Sequence, residues 1–239
     1  MQTKHRDGLT DLELMRMHVE ALFTHDARGH VVRVNEPGGK EAPRFFLGRT
    51  AQGHQWRVRG DVDDALAREL AAACAAEPPA GHPPRPSARA AEYAALLARR
   101  APVERTWSGP AYCFPETIEM PRDTVEVTAE NAEILRPHLA SWLEDVAWSR
   151  PMVALLDEGR AVAVCCSVRE TDAAHEAGVE TAPGFRGRGC APQVVTAWAH
   201  AIRRMGRIPL YSTSWENAAS RAVARKLALI QFGTDLHFT

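Results

Sequence analysis

The sequence is nearly devoid of lysine and has almost no net charge. Lys4, Lys40 and Lys226 are its only lysines, and arginine supplies the other basic residues. The 29 basic and 30 acidic residues leave a formal charge of −1 at pH 7. Proteins that hold nucleic acid normally carry a basic excess, so we expect no nucleic-acid partner.

Long apolar runs and patterned cysteines are also missing. No run is long enough to cross a bilayer, so we expect no membrane partner. The five cysteines are odd in number and include no Cys-x-x-Cys pair, which predicts neither a disulfide framework nor a zinc site. The histidines show no metal-ligand spacing, so no bound metal is predicted. Reduced thiols are typical of the cytoplasm, which is the predicted location.

The length of 239 residues and the 45% apolar content allow one large domain or two small ones. We predict an N-terminal α+β module over residues 1–120, in which no motif indicates a particular chemistry. Residues 101–122 contain four prolines, which predicts an irregular segment around the domain boundary. The other predicted elements of this half are helices at 9–23, 61–76 and 87–100 and strands at 30–35, 44–49 and 55–59.

The second half, residues 121–239, has a different texture and is predicted to be a separate domain. Residues 129–146 have a helical composition that Pro137 should divide into two short helices. The turn sequence at residues 157–160 predicts a hairpin. The remaining predictions are strands at 124–128, 152–156, 161–168, 174–181, 208–212 and 231–238 and helices at 191–205 and 217–227.

One segment of the second half carries recognisable chemistry. A strand ends at Thr181, and Arg186-Gly187-Arg188-Gly189 then opens a helix. Glycine lets a backbone approach a ligand closely, and the first turn of a helix offers unpaired N–H groups to an anion. The segment lacks the lysine of a Walker loop and the third glycine of a Rossmann fingerprint. By itself it indicates either an anion site or a structural turn.

The wider pattern resembles the GNAT superfamily of acyl-CoA N-acyltransferases. Their Arg/Gln-x-x-Gly-x-Gly/Ala signature is met by Arg186, Gly189 and Ala191, and a downstream Asn and small residue by Asn217 and Ser220. The resemblance covers the second half of the chain. It implies a mixed α+β fold, with a mostly antiparallel, splayed central sheet flanked by helices, and acetyl-CoA as cosubstrate.

The resemblance also assigns cofactor-binding roles to residues. The strand before the loop would pair with the pantetheine arm, and Asn217 would hydrogen-bond that arm while Ser220 lay near the phosphate end. Asn217 is equally suited to capping the next helix, and Ser220 to being merely small. The strand residues in question are Val179, Glu180 and Thr181. The residues that would wrap the pyrophosphate are Arg186, Gly187, Arg188, Gly189, Cys190 and Ala191.

Acetyl transfer to an amine needs a base for the amine proton and an acid for the departing thiolate. Glu176 and Glu180 share one face of their strand and are the candidate bases or amine anchors, although either could be a solvated strand residue. Where the superfamily often has a tyrosine, this chain has Ala224. Tyr211, Ser212 and Ser214 precede Asn217 and could replace the missing tyrosine as the acid, directly or through water. Tyr211 is the best chemical candidate, with core packing as the alternative.

These residues predict an acetyl-CoA-dependent N-acetyltransferase that transfers an acetyl group directly to a primary amine of a small molecule, in a ternary complex. Ala224 keeps a catalytically silent acyl-CoA-binding module as an alternative, and acetylation of protein amines is another. The near-neutral charge argues against a charged tRNA as acceptor. A monomer or a homodimer is expected.

Overall fold

The protein was analysed as a computed structural model that describes residues 8–81 and 83–239. None of the described helices has the length and apolar character needed to span a bilayer. The helices are α1 (Asp11–Leu22), α2 (Asp64–Ala75), α3 (Ala90–Ala98), α4 (Arg136–Leu139), α5 (Cys190–Arg204) and α6 (Ala218–Lys226). The strands are β1 (Phe23–His25), β2 (Val31–Val34), β3 (Phe45–Thr50), β4 (Gly53–Val58), β5 (Thr106–Cys113), β6 (Thr124–Val127), β7 (Met152–Asp157), β8 (Arg160–Glu170), β9 (Ala174–Thr181), β10 (Ile208–Ser212) and β11 (Ile230–Phe238).

The described chain forms two compact units. The first comprises the described residues up to Cys113 together with Ser212–Arg221 and Ile230–Thr239, and the second comprises Phe114–Tyr211 and Ala222–Leu229. The units do not follow the predicted division into residues 1–120 and 121–239, because the last strand of the chain belongs to the first unit. That division stays a prediction.

The first unit is built on antiparallel strands in the order β4-β3-β11-β5. Buried apolar residues of β3 and β11 pack with α2 and α3 on one face of this sheet. On the other face, His18 of α1 hydrogen-bonds Asp235 of β11 at 2.8 Å. Strands β1 and β2 form a separate two-stranded ladder.

The predicted irregular segment at residues 101–122 is wrong, because strand β5 runs through it. Pro110 is tolerated in this strand, where it lies opposite Thr234 of β11. A Cβ atom on Gly109 would lie 1.8 Å from the carbonyl oxygen of Thr213, so glycine lets the two backbones meet closely. The prolines and this glycine hid the strand from a pattern-based prediction.

The second unit contains strands in the order β6-β7-β8-β9-β10. The first three ladders are antiparallel, and β9–β10 is parallel. The hairpin predicted at residues 157–160 joins β7 and β8. Residues 129–146 form short 3-10 turns around the four-residue α4, with Pro137 in its first turn, rather than two regular helices. The predicted α+β class and mostly antiparallel pairing are confirmed.

The predicted splay lies between β9 and β10. The two strands pair at only three positions, the last joining Glu176 to Leu210. Beyond that point β9 stays paired with β8 as far as Thr181, which lies opposite Ala163. Within this unit, residues 177–181 therefore have a strand partner on one side only.

A buried hydrogen-bond network lies at the base of the fork, by which we mean the point where β9 and β10 diverge. His175 Nδ1 is 2.8 Å from Ser167 Oγ on β8, and Trp198 of α5 donates its indole N–H to the same oxygen at 3.1 Å. Arg207 donates to His175 Nε2 at 2.8 Å. Because Nε2 accepts a hydrogen bond from Arg207, the ring is neutral and donates from Nδ1. The network ties β8, β9 and α5 together where β9 meets β10.

This network should make stability depend on pH. Burial, and then the nearby Arg207 guanidinium, lowers the pKa of His175 to about 4, although Asp172 partly opposes the shift. Between pH 6.5 and 4 the unfolded chain takes up a proton on this ring that the folded chain does not. The free energy of unfolding should therefore fall by up to about 3 kcal/mol as the pH is lowered through that window.

Denaturant titrations at several pH values would measure this slope in the wild type and in His175→Gln. The variant should be less stable at pH 7.5 and should lose most of the slope between pH 6.5 and 4. His138→Gln, at an exposed histidine of the same unit, is the control and should keep it. An unchanged slope in His175→Gln would show that other groups control the pH dependence.

Candidate functional site

The predicted anion loop is a glycine-cornered turn between β9 and α5. A short 3-10 turn, Pro183–Phe185, follows the strand, and the chain then passes through two glycines with positive φ, 79° at Gly187 and 83° at Gly189. Residues with a Cβ rarely adopt this conformation, so the turn depends on glycine. The turn ends at Cys190, which is the first residue of α5.

The turn has the features that an anionic ligand requires. Gly189 is the N-cap of α5, and no side chain caps the helix. A Cβ on Gly187 or Gly189 would meet nothing within 4 Å, so open space lies beside both. Uncapped first-turn N–H groups and the positive end of a fifteen-residue helix favour a phosphate there. The residues present thus fit the pyrophosphate of coenzyme A.

The side chains of the loop fix its shape and add positive charge. Arg186 Nε donates to the carbonyl oxygen of Thr181 at 3.2 Å, which closes the turn back onto β9. The Arg188 guanidinium lies 5.0 Å from the centre of the Phe185 ring. Both arginines are exposed, and the Cys190 thiol is buried and lies 3.6 Å from the Phe185 carbonyl oxygen. Cys190 therefore packs within the turn.

The strand that leads into the loop presents a free edge, as the resemblance implies. Val179 and Thr181 pair with Cys165 and Ala163 of β8, and β10 has already diverged. The Thr181 hydroxyl is buried and has no hydrogen-bond partner among the described residues. Buried polar atoms usually have partners, so an orphan at the end of a free strand edge is consistent with a ligand-binding position.

Glu176 lies at the branching point of the sheet. It is the last residue of β9 that pairs with β10, and only 2% of its surface is exposed. Arg169 of β8 lies directly opposite it in the ladder. Cross-strand neighbours of opposite charge attract each other, so this pairing stabilises the sheet where β9 and β10 diverge. His175 lies on the other face of β9 with Ser167 and Trp198, as the alternation of the strand predicts.

Glu180 is held by a residue that the sequence did not single out for chemistry. Trp142, in a 3-10 turn of the same unit, donates its indole N–H to Glu180 Oε2 at 2.6 Å. Nothing in the spacing of the two residues indicates this bond. The contact fixes the Glu180 carboxylate on the face that Glu176 shares.

The candidate acid, Tyr211, and Ala224 are both buried, each with 1% of its surface exposed. Ala224 supplies no proton donor, and a Tyr211 hydroxyl in the core is consistent with the packing alternative. Ala228 adopts a φ of 48° at the end of α6, the left-handed conformation for which glycine is usual. The catalytic roles of Glu176, Glu180 and Tyr211 stay predictions.

Asn217 and Ser220 lie in the first unit, at the start of α6. The Asn217 side-chain oxygen accepts the backbone N–H of Ser220 at 2.9 Å, so Asn217 caps this helix. Its own backbone N–H donates to Ser214 Oγ at 3.2 Å. The capping alternative for Asn217 is therefore realised. A cap uses the carbonyl of the side-chain amide and leaves its N–H₂ group to donate elsewhere, so a cofactor contact stays a prediction.

Comparison with known proteins bears on the second half of the chain. The family model described as GNAT acetyltransferase matches residues 153–233. A comparison with curated proteins finds no match.

Several solved structures are similar at low sequence identity. A GNAT-family protein of Novosphingobium aromaticivorans is 15% identical, with 57% of this chain and 65% of that chain covered and a TM-score of 0.48. A GCN5-related N-acetyltransferase-like protein of Streptococcus suis is 16% identical over 95% of this chain and 99% of that chain, with a TM-score of 0.47. An aminoglycoside N-acetyltransferase in complex with coenzyme A is 22% identical over 46% of this chain and 92% of that chain, with a TM-score of 0.36.

The family match covers the splayed strand, the glycine-cornered turn and the helix that follows. The present chain covers 65% of the length of the first of these structures. The family match confirms the resemblance seen in the sequence: within the C-terminal half of the chain, residues 153–233 match the GNAT acetyltransferase family model.

Proposed function

We propose that the protein is an acetyl-CoA-dependent N-acetyltransferase that transfers an acetyl group directly to a primary amine of a small molecule. The observation that carries the proposal is the combination at the end of β9. A strand edge without a partner runs into a turn with two positive-φ glycines and an uncapped helix. An extended amide-containing arm suits the edge, and a pyrophosphate suits the helix N-terminus.

In this proposal the chain contributes positioning and proton transfer. The loop residues Gly187–Ala191 hold the pyrophosphate, and residues 179–181 align the acyl arm along β9. The amine nitrogen then bonds to the acetyl carbon while the carbon–sulfur bond breaks. Glu176 takes the proton from the amine, directly or through water, because it is the carboxylate at the point where β9 and β10 diverge.

One observation favours a second candidate, a catalytically silent acyl-CoA-binding module. Ala224 is buried where the resemblance leads us to expect a tyrosine, and the candidate acid Tyr211 is buried as well. A thiolate can also be protonated by solvent, so direct transfer remains the first proposal. The small-molecule acceptor is supported by analogy alone: one similar structure is described as an aminoglycoside N-acetyltransferase.

Release of free thiol from acetyl-CoA in the presence of a panel of small amines separates the two candidates. The enzyme proposal predicts amine-dependent release that saturates with both substrates. Binding of acetyl-CoA with no release on small amines, peptides or a protein lysate would favour the silent module. Release of thiol only when a protein is the acceptor would show that the acceptor is a protein amine, and the proposed acetyl transfer would still stand.

The turn can be tested by a glycine substitution with a matched control. Gly189→Ala forces a φ of 83° on alanine and places a methyl group in the open space beside the turn. Gly206→Ala, at the other end of α5, meets the same strain at a φ of 73° and also projects into open space. Each should cost about 1 kcal/mol of stability.

Isothermal titration with acetyl-CoA should show at least about tenfold weaker binding for Gly189→Ala, roughly 1.4 kcal/mol. Gly206→Ala should bind as the wild type does. Equal affinities for the two variants, whether both normal or both weak, would contradict the assignment of the pyrophosphate to this turn.

Glu176→Gln tests the base. It preserves the size of the side chain and removes its basicity, so kcat should fall by about two orders of magnitude or more while the Kd for acetyl-CoA is unchanged. Glu126→Gln, at an exposed strand position of the same unit, should leave both constants unchanged. A thermal melt checks that Glu176→Gln is folded. Full activity in the folded variant would eliminate Glu176 as the base.

A further inference from the structure

The first unit contains a cavity that the proposed chemistry does not use. Its volume is about 550 Å³, within the range of roughly 300–1,000 Å³ that is typical of small-molecule sites. Ten of its eleven lining residues come from three separate parts of the chain, all in this unit: the start of α3 with the residues before it, strand β5 with the residue before it, and the segment Ser214–Glu216. Leu236 of β11 adds an apolar surface.

The walls of the cavity are held by backbone hydrogen bonds. Trp215 donates its backbone N–H to the carbonyl oxygen of Ser108 at 3.1 Å, and Thr213 donates to that of Pro110 at 3.3 Å. Gly109 permits this close approach, since any Cβ there would collide with Thr213. The segment that carries Ser214, Trp215 and Glu216 is therefore fixed against β5, and the cavity is a preformed feature of the unit.

Two opposite charges line this cavity, and neither is used elsewhere. The Arg105 guanidinium and the Glu216 carboxylate are both exposed, and neither forms an ion pair or side-chain hydrogen bond with any residue in the described part of the chain. By contrast, Arg59, Arg89, Arg99 and Arg100 of this unit all pair with carboxylates. An arginine and a glutamate left unpaired on one cavity are available to a ligand that carries both charges.

The other lining groups suit a small ligand that has both apolar and hydrogen-bonding parts. Trp215 and Leu236 offer apolar surface, and Ser108 and Ser214 offer hydroxyl groups. The Trp215 indole N–H is buried and has no acceptor among the described residues.

We infer that this cavity binds a small zwitterion of the amino-acid class. Arg105 would bind the carboxylate, for which a guanidinium offers paired N–H donors, and Glu216 would bind the ammonium group. Trp215 and Leu236 would contact the side chain. Such a ligand could be the acetyl acceptor itself or a compound that binds without being acetylated. The inference concerns the first unit and does not depend on the cofactor site.

Calorimetric titration of the full chain with the twenty amino acids tests the inference, each compared with its decarboxylated amine and its deaminated acid. At least one amino acid should bind about tenfold more tightly than both of its analogues. Arg105→Gln should abolish the preference over the amine, and Glu216→Gln the preference over the acid. Arg68→Gln, at an exposed arginine of α2 outside the cavity, should change neither.

The inference is overturned if no amino acid outbinds its analogues, or if the preferences survive both cavity variants. Thiol release from acetyl-CoA with the bound amino acid would identify it as the acceptor, and binding without release would identify a ligand that is not acetylated. Either result supports the cavity assignment. Gly189→Ala should bind the amino acid normally, so failure of the cofactor proposal and failure of this one can be told apart.

Discussion

The arrangement at the candidate site depends on where β9 separates from β10. The two strands share three paired positions and then diverge, while β9 continues along β8. His175 lies within this short shared stretch and is neutral, buried and hydrogen-bonded to Ser167 and Arg207. Because Ser167 also accepts from Trp198 of α5, one buried oxygen links two strands and the helix that begins at the phosphate loop.

This arrangement makes the rest of the candidate site possible. A strand that stayed paired on both sides would have no free backbone groups for an acyl arm. The fork frees residues 177–181 on one edge and places Glu176 at its base. The strand then ends in the glycine turn, so its free edge leads directly to the uncapped N-terminus of α5. Strand edge, carboxylate and anion site thus follow one another along a short stretch of chain.

The glycine turn, the helix after it and the splayed sheet could be predicted from the sequence. Glycine spacing before an amphipathic helix is a local signal, and the splay of the strand before the loop follows from the family resemblance, whereas the parallel pairing of β9 with β10 was not predicted. Strand β5 could not be predicted in this way, because Pro110 disguises the strand pattern and Gly109 is required by the close approach of Thr213, a residue far away in the chain. Local patterns cannot report such a contact.

The partners of the side chains at the candidate site could likewise not be predicted from the sequence. The bond from Trp142 to Glu180 joins residues 38 positions apart, and the partner of Trp142 depends on how short 3-10 turns replace a regular helix. The position of Arg169 opposite Glu176 depends on an irregularity in the register of β8. The cavity in the first unit is assembled from three distant segments. Each of these features depends on contacts between distant segments of the chain, which the periodicity of the sequence does not reveal.

The central claim is that one ligand, acetyl-CoA, occupies both the free edge of β9 and the turn before α5. Hydrogen–deuterium exchange of the full chain with and without acetyl-CoA tests it directly, because backbone N–H groups that bind the arm and the pyrophosphate become protected. The backbone N–H groups of residues 177–181 and 187–191 should exchange more slowly when acetyl-CoA is bound, and both segments should show the same dependence on acetyl-CoA concentration. Protection of neither segment, or of only one of them, would contradict it.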